Sequence, residues 1–208
     1  EELARLAALG RDMASAPTIE AAIRVQLDAL DDHARDVAAR LSIFGFSGWD
    51  AGLRALGIES ATESLRSLAA AEIVVEQASS RFPGTREFSF KHALTREVAY
   101  ASLGEDQLKE LHERAAEWLA EVADDDAVIA RHFELGGKLK LGAHHLERAA
   151  RHALAANALA QAAEFAERAL AFAGDKPTSF ARALILDEAW ARLDARATER
   201  ENAIRELQ

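Results

Sequence analysis

Apolar positions recur at helical spacing along most of this chain. Leu3, Leu6 and Leu9 fall on one side of an opening segment, which predicts a helix over Glu1–Met13, broken at Ser15-Ala16-Pro17. A second helix is expected from Thr18, with Ile19, Ile23, Leu27 and Leu30 inward. Asp31 is the expected N-cap of a third, running to Phe44 with Ala34, Val37, Ala38 and Leu41 inward. A loop over Gly45–Gly48, a short helix over Trp49–Leu56 and a helix capped by Ser60 and running to Ala71 complete this set.

The period then changes. Ile73, Val74 and Val75 are β-branched, Pro83-Gly84 signals a turn, and Glu87-Phe88-Ser89-Phe90-Lys91 alternates strictly. One hairpin is predicted, with strands near Ile73–Gln77 and Arg86–Phe90. Helices followed by a single hairpin describe a winged helix, a relative of the helix-turn-helix. Beyond it the helical period returns over His92–Leu103, Glu105–Ala123, Ala127–Leu135, Leu139–Ala155, Ala158–Ala173, Thr178–Asp194 and Arg196–Leu207. In the second of these, Leu108, Leu111, Ala115, Leu119 and Val122 face inward. The triplet Asp124-Asp125-Asp126 is placed to cap the helix after it.

The last third matches the 34-residue tetratricopeptide period, which needs small residues where its paired helices touch. With Ala143 at repeat position 1, Ala150, Ala162 and Ala169 fall at positions 8, 20 and 27. The next register begins at Pro177 and puts Leu184, Arg196 and Ala203 at those positions, so the second unit is degenerate. An ordinary helical hairpin is the alternative reading. The expected fold is therefore mainly α: a winged-helix domain with one β-hairpin, then tetratricopeptide-like α-helical hairpins. Its parts are a tail helix of a preceding domain over 1–16, a winged-helix-like domain over 17–103 and a repeat region over 104–208.

Composition narrows the chemistry. The chain has 208 residues and no cysteine, which excludes thiolate nucleophiles, disulfides and Cys-ligated zinc. Its net charge of −10 weighs against nucleic acid as the main partner. No apolar run reaches the ~18 residues of a membrane span, and the cytoplasm is the expected compartment. Alanine makes up roughly a quarter of the residues and arginine far outnumbers lysine, as a GC-rich bacterial gene would give. The first residue is Glu1 rather than Met, and a longer parent protein is expected. Gly137-Lys138 lacks the remainder of a phosphate-binding loop, since His132 and Leu139 stand where glycine and a hydroxyl residue belong. Among the seven histidines, His144 and His145 diverge, and His145 and His152 lie two turns apart. They are expected on the surface, with no metal site.

The stretch Phe88-Ser89-Phe90-Lys91-His92-Ala93-Leu94-Thr95-Arg96-Glu97-Val98-Ala99-Tyr100-Ala101-Ser102-Leu103 resembles a signature of the bacterial STAND-type, AAA-like regulatory ATPases. Leu111-His112-Glu113-Arg114-Ala115, Ile129-Ala130-Arg131-His132-Phe133, Thr18–Leu30 and Glu1-Glu2-Leu3 are similar to flanking segments of that family. Members place an ATPase core before a winged helix and repeats. They occur beside serine/threonine kinase domains, adenylate or guanylate cyclase domains and LuxR-type regulators. The resemblance implies a non-catalytic regulatory fragment with no cofactor of its own, ATP or ADP belonging to the parent. It implies that His92 approaches the ADP phosphate in the full-length parent only, with Lys91 and Arg96 adding positive potential. The bland reading of His92 is a helix cap or a member of a polar network. Expected partners are the ATPase domain in the same chain, a protein or peptide on the repeats, and a second copy covering the open end. The competing reading is a DNA-binding winged helix of a transcription regulator. Arg81, Arg86, Lys91 and Arg96, set against Glu87 and Glu97, favour it. The near-neutral helix Ser60–Ala71, with Arg66 against Glu63, opposes it.

Overall fold

The computed structural model describes residues 20–172 and 175–206, with side chains described through residue 195. The expected helix over Glu1–Met13, its break at Pro17 and the tail segment 1–16 lie outside the described residues. The fold is mainly α, with one small antiparallel sheet. Two compact units divide inside a helix, the first ending at Ala115 and the second starting at Ala116.

In the first unit, α1 (20–28) precedes α2 (Asp32–Leu41), and Asp31 caps α2 by accepting a 2.8 Å hydrogen bond from the Ala34 amide. Ala34, Val37, Ala38 and Leu41 are fully buried, as the period predicts. A 3-10 turn (Ser42–Phe44) leads to β1 (Ser47–Trp49), followed by α3 (Asp50–Ala55), α4 (Thr62–Ala70), β2 (Val74–Glu76), β3 (Glu87–Phe90) and α5 (Ala93–Ala101). The hairpin is where the alternation puts it. Its loop turns at Pro83-Gly84, where the Thr85 amide donates to the Phe82 carbonyl and Gly84 has φ +74°.

Two expectations for this unit are corrected. The sheet has a third strand: β1 lies where a loop was expected, and the order is β1-β3-β2. With only three residues and two nearby glycines, β1 carries no alternation to read. It exists through its partner, with Ser47, Gly48 and Trp49 opposite Ser89, Phe88 and Glu87. Gly48 sits in close contact with α2, since a Cβ there would stand 2.6 Å from Leu41 Cδ1 and 3.2 Å from the Leu41 carbonyl oxygen. Nor does Ser60 cap α4. Its N-cap is Ala61, with no side-chain hydrogen bond, and the Ser60 carbonyl instead meets His33 Nε2 at 3.1 Å.

Leu27, Val37, Leu41, Leu53, Leu65, Leu68, Phe88 and Phe90 form the main core of this unit. The first part of α6 (Glu105–Val122) adds Leu111 and Ala115 to a second cluster with Ala39, Ile43 and Leu56. Val122, expected inward, is exposed in the last turn of α6.

The second unit continues with α7 (Asp126–Leu135), α8 (Leu139–Ala155), α9 (Leu159–Leu170) and α10 (Lys176–Glu206). Ala150, Ala162 and Ala169 are all fully buried. Each serves a different contact: Ala162 packs with Ala153 and with Ala189 of α10, Ala150 with Ala166 and Ile185, and Ala169 with Ala130 and Leu146. The α8–α9 turn is closed by Asn157 at φ +60°, with the Ala158 amide bonded to the Ala153 carbonyl at 2.8 Å. The helix pair expected over Thr178–Asp194 and Arg196–Leu207 is instead the continuous α10. No glycine or proline interrupts 178–206, and a run of good helix formers carries the backbone past Asp194 without a turn. The second tetratricopeptide register therefore has no hairpin of its own among the described residues.

Overpacking tests the α8–α9–α10 contact. Ala162→Leu is expected to cost on the order of 1–3 kcal/mol, because two helices must move apart to admit the longer side chain. Ala156→Leu, at an exposed turn position, is expected to stay within about 0.5 kcal/mol. Thermal melts of the two variants read the difference; equal midpoints would mean the alanine contact does not hold these helices together.

Candidate functional site

His92 stands where β3 hands over to α5. Its backbone is extended (φ −135°, ψ 138°), and it occupies the N-cap position of α5 without a side-chain hydrogen bond to the helix. The cap reading of its side chain is therefore not what the structure has. The imidazole is exposed at the start of α5. Its neighbours are engaged elsewhere. Lys91 Nζ lies 2.9 Å from Glu72 Oε1, and the Arg96 guanidinium lies over the Tyr100 ring at 5.6 Å. The hydrogen bond and charge of Lys91, with a lesser contribution from His92, hold the Glu72 carboxyl below its usual range. The cationic potential expected from Lys91 around His92 is thus largely balanced by Glu72.

The rest of the signature is structural. Phe88, Phe90, Val98, Ala99 and Leu103 are buried, and the Tyr100 hydroxyl meets His112 Nε2 at 2.8 Å. Two segments read separately in the sequence, one ending at Leu103 and one starting at Leu111, are thereby joined by a side-chain hydrogen bond. A small cavity of about 180 Å³ between α1, α2 and α5 is lined by Arg24, Leu27, Arg35, Val98 and Ser102. Arg35 is committed to the carbonyls of Leu27, Asp28 and Leu30, which it closes as a cap on the end of α1.

In the second unit His144 and His152 are exposed as expected, but not every histidine is. His132 is buried, as is His112 in the first unit, so neither is a surface residue. The triplet before α7 divides its work. Asp125 is the cap, accepting from the Val128 amide at 3.2 Å. Asp126 is buried, with its carboxylate 2.7 Å from His145 Nδ1, 3.1 Å from Arg148 Nε and 3.9 Å from His152 Nδ1. His145 and His152, two turns apart on α8, thus meet at one carboxylate from another helix, a juxtaposition that spacing along α8 alone could not reveal. Asp126 Oδ2 is buried without an aligned hydrogen bond. Among the described residues, no group of histidines and acids is arranged to hold a metal ion.

Beside this cluster, Glu147 accepts from Arg151 at 3.0 Å and from Arg182 at 3.1 Å. Burial pushes the Glu147 carboxyl up, but hydrogen bonds and charge from Arg151 and Arg182 outweigh it and hold the group below its usual range. Arg182 is itself buried and also donates to the carbonyl of Ala169 at 2.8 Å.

Among the described residues, no helix is long and apolar enough to cross a membrane. The chain matches no family model, no curated protein and no solved structure.

Proposed function

We propose that this chain is a non-catalytic regulatory and protein-interaction part of a larger bacterial STAND-type signal-transduction ATPase, acting in the cytoplasm. In this reading the parent is a serine/threonine protein kinase or a nucleotide cyclase. Residues 17–103 are its winged helix and residues 104–208 its tetratricopeptide-like repeat region. The observation that carries the reading is the fate of the Phe88–Leu103 signature. Its apolar residues build the core, while the imidazole of His92 is left exposed at the strand–helix junction. A histidine placed there can donate to a phosphate brought by the neighbouring ATPase domain. The sheet order β1-β3-β2 after a helical set supports the winged-helix part, and the buried Ala150, Ala162 and Ala169 support the repeat part.

The DNA-binding alternative finds less support. The exposed side of α4 offers Thr62, Glu63, Arg66 and Ser67, a nearly neutral surface with little for phosphates or base edges. Arg86, at the hairpin, is held by both oxygens of Glu76 at 2.7 Å.

Nucleotide and DNA titrations of the isolated chain test the proposal together. No ATP turnover, no measurable ADP binding and only non-specific duplex affinity at about 150 mM salt are expected. ATP hydrolysis would overturn the non-catalytic reading. Sub-micromolar, sequence-dependent duplex binding would transfer it to the DNA-binding alternative.

A further inference from the structure

We infer that the solvent face of α8 is a docking surface for an acidic peptide segment of a protein partner, an inference that rests on the interaction reading of the second unit and gives it a ligand class. α8 buries Gly142, Ala143, Leu146, Ala149, Ala150 and Ala153. Opposite them, Lys140, His144, Arg148, Arg151 and His152 are all exposed. At 100° per residue these five basic side chains fall within about 120° of arc. The helix carries a single acid, Glu147, at the edge of that arc. In a chain of net charge −10 this is a local concentration of basic residues, while the adjacent helix α9 turns Glu164 and Glu167 to solvent.

The arrangement of the two arginines favours carboxylates. Arg148 approaches the buried Asp126 through Nε at 3.1 Å, and Arg151 reaches Glu147 at 3.0 Å, yet their side chains remain 54% and 53% exposed. Arg151 is held by a hydrogen bond to Glu147, Arg148 sits in a close ion pair with Asp126 without an aligned hydrogen bond, and both keep donors in solvent. A planar fork fixed in this way loses little freedom when it takes a second carboxylate. Lys140 and His144 have no acid partner among the described residues. Leu141, half exposed on the same arc, supplies an apolar contact beside them.

Spacing points to a peptide. Lys140, His144 and Arg148 succeed one another at about 6 Å along the helix axis. Alternate residues of an extended chain recur at about 6.6–7 Å, so every second acidic side chain can meet one of these N–H donors. A long polyanion would also sense the acidic remainder of the molecule, whereas a short segment responds to the field within one Debye length, about 8 Å at physiological salt.

Fluorescence anisotropy with a labelled octapeptide of alternating glutamate and alanine tests this, with the glutamine-for-glutamate peptide as control. The intact chain is expected to bind the glutamate peptide at low salt, to ignore the control, and to release the peptide as salt rises. The double variant Lys140→Glu/His144→Glu should lose at least fivefold in affinity, and Lys109→Glu on α6 should lose none. Lys140→Gln/His144→Gln, which adds no charge, is the second variant and should show a smaller loss in the same direction. Circular dichroism checks that each variant is folded. Equal binding by folded wild-type and both double variants would overturn the proposal. So would absence of binding at low salt, or tighter binding of duplex DNA or phosphatidylserine vesicles than of the peptide. A folded chain that ignores the peptide leaves the non-catalytic reading standing, and ATP turnover would remove that reading without touching this one.

Discussion

Arg182→Ala is expected to destabilise the second unit by about 3 kcal/mol, a cost characteristic of removing one partner from a buried charge pair. The guanidinium joins three helices. From α10 it donates to Glu147 on α8 at 3.1 Å and to the Ala169 and Phe172 carbonyls at the end of α9, at 2.8 and 3.4 Å. Alanine leaves these carbonyls short of a donor, leaves Glu147 with Arg151 alone, and removes the buried stem of the side chain. Lysine in its place should recover only part of the loss, because one ammonium nitrogen replaces two separate guanidinium nitrogens that serve different helices. Hydrogen exchange across α8–α10 measures the effect; unchanged protection in α9 and α10 would show that alanine packing alone docks α10. The effect also has a pH signature. Glu147 is held below its ordinary value in the folded state. Its contribution is therefore present above the unfolded carboxyl value, roughly pH 4.3, and is lost as pH falls through the folded value. The gap between wild type and Arg182→Ala should be full at neutral pH and narrow in acid.

The sequence made local structure plain wherever one residue's role was set by its near neighbours. Asp31 as a cap, the inward set of α2, the Pro83-Gly84 turn and the alternation of β3 are all decided within a few positions. What it hid was decided across space. The strand β1 is three residues long and exists because β3 has a free edge and Gly48 lets Leu41 approach. The division of the Asp124–Asp126 triplet into a cap and a buried carboxylate depends on where α8 places His145 and Arg148. The length of α10 was misjudged in the opposite sense. The two helices expected over Thr178–Asp194 and Arg196–Leu207 need a break at Ala195 that no local breaker supports. The alanine positions were legible because small side chains at fixed intervals limit how far two helix axes can separate. The basic arc of α8 was equally available from its spacing, but it only acquires meaning once the buried face is known to lie opposite.

Phe88→Ala is expected to cost the first unit about 3–5 kcal/mol, the largest effect among the substitutions considered. Phe88 lies in the middle of the central strand, opposite Gly48 of β1 and Glu76 of β2, with 2% of its surface exposed. Its ring belongs to the cluster with Leu41, Leu53, Leu65 and Leu68, so truncation opens a cavity that helices on one side and a three-stranded sheet on the other cannot easily collapse. The outer ring face is covered by Arg86, whose guanidinium lies 5.1 Å from the centroid and is fixed by Glu76. The lost contacts therefore include this cation–π pair as well as core packing. Phe46→Ala, 51% exposed just before β1, removes the same atoms from a position that buries little, and should shift stability by within about 0.5 kcal/mol. Urea unfolding followed by far-ultraviolet circular dichroism gives both values. A Phe88→Ala midpoint no lower than that of Phe46→Ala would mean that the sheet does not organise this core, and with it would go the argument that the Phe88–Leu103 signature places His92 by packing.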